Sequence, residues 1–253
     1  MANHFNNRVG YRFKNSQDEW AEIAIYSGAN DLWVRFDGNK ENELVHTTFQ
    51  RCKTGNVKNP NSKSICGVGY LGFGKYKSRE GRKITKSYQT WASMINRCYG
   101  YSDKNKSYEV CEVCEEWHNY QNFAKWYEDN YYEVKGEVMQ LDKDWLVRGN
   151  KVYSPETCIF APQKINALLV KCVSKKKGKN LPIGVMKDGK KFRAECVTKD
   201  KPYLGSFDTV EEAFQAYKEQ KEQYTKEIAE QYKNKIPQEL YEAMYNRKIK
   251  IED

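Results

Sequence analysis

One stretch of the chain collects residue types able to bind metal or move protons. Cys111 and Cys114 stand two residues apart, the knuckle spacing that sets two thiolates on one tetrahedral ion, and Cys98 and Cys158 could complete an all-thiolate zinc site. The same four can equally be packed thiols, because a second knuckle is missing. His118, in Glu115-Glu116-Trp117-His118, is the only imidazole of this stretch, with His4 and His46 in unrelated segments. A His so placed is either an acid–base group or a satisfied surface residue. The run Gly67-Val-Gly-Tyr-Leu-Gly-Phe-Gly74 lacks a Gly-Lys-Ser/Thr ending and continues into Lys75-Tyr-Lys-Ser78 with no apolar helix behind it, which argues against a phosphate loop and a nucleotide cofactor.

The elements that would hold these groups change character along the chain. Residues 19–52 read as short strands around Trp20, Ile23, Ile25 and Leu32–Phe36, with a turn at Asp37-Gly38, and predict a small β barrel or meander. From Ser87 the period becomes helical: Tyr88, Trp91, Met94, Ile95 and Cys98 make one apolar stripe, and Tyr120, Phe123, Trp126 and Tyr127 a second. Residues 171–180 form a basic linker. Beyond it, strands flank Asp188-Gly189, a third strand spans Tyr203–Phe207, and Asp208-Thr209 with Glu211-Glu212 opens a capped helix. On the second strand Phe192, Ala194 and Cys196 share one side, leaving Lys191, Arg193 and Glu195 on the other. Ile236–Tyr245 predicts a last short helix.

The 253 residues carry 43 Lys+Arg against 34 Asp+Glu, a formal net charge of +9. That balance suits an acidic partner or a well-solvated surface. Aromatic residues reach 14% with 19 Tyr and 6 Trp, so several small ring-rich cores are expected rather than one large one. Eight Cys are too sparse for a disulfide scaffold, and no apolar run approaches a membrane span or signal core, so a soluble cytoplasmic protein is expected.

Leu181-Pro-Ile-Gly-Val185, Lys191-Phe-Arg-Ala-Glu195 and Tyr203–Tyr217 resemble the AP2 DNA-binding domain. The resemblance implies a three-stranded sheet laid in the DNA major groove with one helix behind it, and double-stranded DNA as partner. Carried over by position, Glu195, Lys201 and Tyr203 match DNA-touching positions, while Lys187, Lys191, Arg193 and Lys199 would add phosphate contacts. Ile183, Met186 and Val197 stand where the family reads bases with arginine, which puts guanine readout in doubt.

A second resemblance covers Tyr88 to about Asn166 through Arg97-Cys98-Tyr99, Val113–Trp117, Leu141-Asp-Lys-Asp144, Gly149-Asn150 and Tyr153–Cys158. It is to a phage-type block of HNH homing endonuclease-like proteins, commonly joined to an AP2 domain. Such a site places one divalent ion, Mg2+ or Mn2+, on the scissile phosphate beside a His that deprotonates water. The resemblance puts Asp142 at a metal-ligand position, Asn166 on the second ligand arm, Asp144 nearby, and Lys143 where the general base belongs. An ordinary Lys, with pKa near 10.4, clamps phosphate but accepts no proton at neutral pH. Asp142 and Asp144 could instead cap the turn at Gly149-Asn150, and His118 is the spare candidate base.

The expected architecture is α+β in several modules: an N-terminal β module (1–80), an HNH-like ββα block (85–170), an AP2-like sheet and helix (181–235) and a terminal helix and tail (236–253). The expected function is metal-dependent DNA cleavage in a host-cell cytoplasm. The rival is a catalytically degenerate phage DNA-binding protein with a regulatory or counter-defence role. A further alternative is an RNA or protein binder that uses the N-terminal module.

Overall fold

The computed structural model describes residues 7–101, 110–169, 181–196 and 202–251. The fold is mixed α+β with several small sheets, and the chain divides into two compact units, 1–128 and 129–253. The division falls in the last turn of a helix, not at any junction between the motif-defined modules, so the block read as 85–170 contributes to both units.

The first unit opens with a four-stranded antiparallel meander, β1 (Arg12–Lys14), β2 (Trp20–Gly28), β3 (Asp31–Phe36) and β4 (Val45–Thr47), in sequence order. Alternation buries Phe13, Ala21, Ile23, Leu32, Val34 and Phe36 on one face. Each large member contributes about 1.5–3 kcal/mol by burial. Cys52 of the short helix α1 (Phe49–Lys53) and Val57 close this core. The following loop is tied back by the Glu19 carboxylate, which accepts from Asn59 Nδ2 at 3.2 Å and Ser62 Oγ at 2.7 Å.

A short hairpin, β5 (Arg79–Glu80) with β6 (Lys83–Ile84), leads to α2 (Lys86–Tyr99), whose first turn is capped by the Thr85 hydroxyl accepting from Tyr88 N. The expected stripe holds: Trp91, Met94 and Ile95 are buried. After β7 (Glu112–Val113) a 3-10 turn, Glu115–His118, leads into α3 (Tyr120–Asn130). Trp91 Nε1 donates to Trp117 O at 2.7 Å, and the Trp91 and Tyr120 rings meet at 5.4 Å, so these rings bury apolar area while keeping a polar partner. The Gly-rich run docks here, where Gln121 Nε2 donates to Leu71 O and Tyr76 O at 3.1 and 3.0 Å. A Cβ on Gly72 would lie 2.2 Å from Asn119 Oδ1, so the glycine serves close backbone approach to a side chain rather than to a phosphate.

In the second unit β8 (Met139–Asp142) pairs antiparallel with β10 (Ile159–Pro162), Asp142 facing Ile159. Between them lies β9 (Val152–Tyr153), and α4 (Gln163–Asn166) follows β10 directly. The C-terminal sheet is antiparallel in the order β11 (Val185–Asp188), β12 (Lys191–Glu195), β13 (Tyr203–Phe207), and it precedes the long helix α5 (Val210–Tyr232) and then α6 (Gln238–Tyr245). Thr209 and Glu212 form a reciprocal capping box at the start of α5.

One end of α5 supplies Ala213, Phe214 and Tyr217 to the core under the sheet, with Val185, Ala194 and Cys196. Its other end supplies Ala229 and Tyr232 to a second core with Trp145, Ile159, Ile165, Leu240 and Met244. At that end Glu137 accepts from Lys164 Nζ at 2.7 Å and Tyr232 OH at 2.8 Å, and these donors hold its carboxyl below the usual carboxylate range. Among the described residues no helix is long and apolar enough to cross a membrane.

Gly184 fixes the fit of α5 to the sheet. Its φ is +77°, and an added Cβ would lie 2.0 Å from Tyr217 Cδ2. Gly184→Ala should therefore lower unfolding free energy by roughly 2 kcal/mol or more, through backbone strain together with displacement of a core ring, as read by urea denaturation. An unchanged midpoint would mean that this contact does not set the sheet–helix packing.

Candidate functional site

Two places in the second unit gather the residues of interest. The first is the outer face of the C-terminal sheet. In β12, Phe192 and Ala194 pack toward α5, so Lys191, Arg193 and Glu195 stand on the open side. The register sets Arg193 opposite Met186 on one flank and Ser206 on the other. A register shift between Ala194 and Glu195 brings Tyr203 opposite Glu195. The Arg193 guanidinium pairs with Glu195 and sits 5.5 Å from the centre of the Tyr203 ring, while Lys191 Nζ reaches Asp208 at 3.1 Å. The arginine head is thus held across the sheet rather than left to wander.

Of the residues expected to touch DNA, Lys191, Arg193, Glu195 and Tyr203 share this face. Lys187 does not: it pairs with Phe192 and lies two residues beyond Val185, which puts it on the α5 side, exposed at the hairpin end. Lys199 and Lys201 lie outside the described residues, as does Val197. Met186, already marked as replacing a base-reading arginine of the resembled family, flanks Arg193 on one side, and Ser206, not singled out from the sequence, flanks it on the other, a neighbourhood that only the strand register reveals.

The second place is the β8–β10 pair with its connecting loop. Asp142 Oδ1 accepts from the backbone N–H groups of Asp144 and Trp145 at 2.7 and 2.9 Å, an Asx-type turn. Burial pushes its carboxyl above the usual range, against those two hydrogen bonds. The Lys143 side chain is 6% exposed. Its Nζ donates to both Asp144 carboxylate oxygens at 2.9 Å and to Asn150 O at 2.8 Å, and Asn150 Nδ2 donates back to Lys143 O at 3.0 Å. Arg247 NH1 donates to Asp144 O at 3.1 Å and stacks on Trp145, so the tail after α6 closes over the same loop. An ammonium with its protons committed in this way offers no lone pair to a water and little reach toward a phosphate.

Asn166 ends α4, and its Nδ2 donates to Gln140 Oε1 at 3.2 Å. Gln140 and Asp142 alternate onto the same side of β8, so the strand and α4 bring Asp142 and Asn166 to one face. Asn166 Oδ1 is buried with no hydrogen-bond partner among the described residues. No histidine lies in 129–253.

His118 belongs to the first unit, at the end of the 3-10 turn. Its Nε2 lies 3.5 Å from Tyr99 OH, which in turn accepts from Val113 N at 3.0 Å. Cys98, Cys111 and Cys114 are in that unit and buried Cys158 is in the other. Among the described residues no group of three or more His, Cys, Asp or Glu side chains is arranged to hold a metal ion. The donors in place around Asp142 therefore fall short of a complete metal centre. Comparison with protein-family models, with curated proteins and with solved structures gives no match.

Two substitutions separate structural from chemical roles in this loop. Lys143→Met leaves Asp144 and Asn150 O without their donor, and should lower stability by about 1–3 kcal/mol in chemical denaturation. Asp142→Asn keeps an oxygen for the two N–H groups and removes a charge that burial disfavours. Because the folded carboxyl pKa is raised, its stabilising share is complete below the unfolded pKa, about 3.9, and is lost as the pH rises through the folded value. Asp142→Asn should accordingly be more stable than wild type at neutral pH, with the advantage vanishing in acid. A wild-type advantage at neutral pH would contradict this.

Proposed function

We propose that this chain binds duplex DNA through the open face of β11–β13, in the manner of an AP2 domain, and that the β8–β10–α4 segment is an HNH-like scaffold whose base position has become structural. One observation carries the binding part. Residues 171–207 hold eleven Lys/Arg and three Asp/Glu, a net of +8 in a chain whose formal net is +9. Almost the whole charge excess falls in this stretch of sequence, with seven of its eleven cations at 171–180 and 197–201, outside the described residues, and such a concentration attracts phosphates and releases counterions. The sheet itself presents Met186 and Ser206 beside Arg193, with Arg193 already paired to Glu195, so backbone contacts outweigh base reading.

The cleavage reading is the second one, and it is favoured by the orphaned Asn166 Oδ1 on the same face as Asp142. A divalent ion there would stabilise charge on a leaving oxygen. This chain's residues would contribute Asp142 and Asn166 as ligands, and Lys143 supports the loop instead of serving as base. The zinc reading of Cys98, Cys111, Cys114 and Cys158 is likewise a proposal, tested by elemental analysis of the purified protein, where one equivalent of zinc supports it and none removes it.

For the full chain, binding to a mixed-sequence duplex should weaken steeply with salt. Lys191→Gln with Arg193→Gln should reduce the slope of log K against log salt by about 1.8, the value for two phosphate contacts. Unrelated duplexes should compete nearly equally. Absence of duplex binding at low salt, or an unchanged slope in the double variant, would refute the sheet as interface. Plasmid nicking that needs Mg2+ or Mn2+ and disappears in Asp142→Ala would establish the cleavage reading, and its absence leaves DNA binding as the function.

A further inference from the structure

The first unit carries a separate concentration of positive charge. Residues 75–86 hold six Lys/Arg and one Asp/Glu, and they form the β5–β6 hairpin with its two flanks. Arg79 stands opposite Ile84 and Glu80 opposite Lys83, with Gly81-Arg82 at the tip. All four strand residues are exposed, Ile84 at 48%. Lys75 is engaged by Glu128 at 3.3 Å. Arg79 donates to Arg82 O across the turn, and among the described residues no acidic partner meets Lys77, Arg79, Arg82 or Lys83.

The hairpin is held firmly at its base. Thr85 N donates to Ser78 O at 3.1 Å, Thr85 Oγ1 donates to Lys77 O at 3.1 Å, and Tyr120 OH donates to the same carbonyl at 3.1 Å. Tyr120 belongs to the ring cluster with Tyr88 and Trp91. A two-residue-per-strand hairpin is too small to hold itself in water. Here the aromatic core supplies the rigidity, and the same Thr85 that ties the hairpin caps α2. The result is a finger fixed at its base whose Lys77, Arg79, Arg82 and Lys83 meet no acidic partner among the described residues.

We infer that the β5–β6 hairpin is a second contact for duplex DNA, placing Arg79, Arg82 and Lys83 on backbone phosphates. The inference rests on the DNA-binding reading above, and it adds an interface in the other compact unit. Duplex DNA is the occupant that the charge favours, since several unpaired cations within one short turn match the dense, regular phosphates of a duplex.

The test uses the full chain and three paired neutralisations: Arg82→Gln with Lys83→Gln in the hairpin, Lys191→Gln with Arg193→Gln in the sheet, and Lys40→Gln with Lys53→Gln as a control for net charge. Each is titrated against the same duplex over a salt series. The hairpin pair should lower the salt slope by about 1.8, as the sheet pair does, while the control pair changes it little. Thermal midpoints should stay at the wild-type value, because the substituted side chains are exposed. A photo-cross-linking residue in place of Ile84 should capture the duplex at low salt. If the hairpin pair binds with wild-type slope and Ile84 captures no DNA, the hairpin inference fails while sheet binding stands. If wild type does not bind at all, the DNA-binding reading and this inference fail together.

Discussion

The packing of α5 against two cores is the constraint on which the second unit depends. At 23 residues the helix extends about 35 Å, at 1.5 Å per residue. Its first turns lie under the β11–β13 sheet through Ala213, Phe214 and Tyr217, and its last turns lie against the β8–β10 pair through Ala229 and Tyr232. The two-stranded β8–β10 pair is marginal alone in water, and the three-stranded sheet needs its apolar face covered. A straight helix does not bend cheaply, so the orientation of the β11–β13 strands relative to Asp142 and Asn166 is fixed by one rigid element and by what each end of it buries.

The tail reinforces the same arrangement. Ile249 packs on the sheet core and its N–H donates to Glu222 of α5 at 2.9 Å, while Arg247 reaches the Asp144 carbonyl and Arg148 donates to Lys248 O at 2.8 Å. The loop after β8 is therefore held from inside by Lys143 and from outside by the residues after α6. This degree of internal satisfaction is what a structural turn requires. It leaves Asp142, disfavoured as a charge by burial, and the buried Asn166 Oδ1 and Trp145 Nε1, which have no hydrogen-bond partner among the described residues, as features the local fold does not explain.

The first unit solves a different problem with the same aromatic-rich composition. Trp91, Trp117, Tyr120 and Phe123 are almost wholly buried, and Trp91 and Tyr120 use their polar atoms to bind backbone carbonyls of neighbouring segments. Rings with a donor at one end can fasten irregular chain to a core. That is how the basic hairpin comes to have a defined position, through Tyr120, while the Gly-rich run is held by the neighbouring Gln121.

What was legible in the sequence is what neighbours along the chain decide. The hairpin at Asp188-Gly189, the inward Phe192 and Ala194 with outward Lys191, Arg193 and Glu195, the Trp91–Met94–Ile95 stripe and the Thr209–Glu212 box all follow from local periodicity, turn chemistry and capping, and all stand in the structure. Only tertiary structure could decide the rest. That Lys187 falls on the α5 side depends on which residue of β12 it pairs with, and a one-residue difference in register reverses the answer. That Lys143 is a buried strut depends on Asn150 returning to it across a seven-residue excursion. That α5 serves two cores, and that the compact units divide at residue 128 and not at a linker, depends on contacts between segments far apart in sequence. Periodicity records which face of an element is apolar. It does not record what that face will meet.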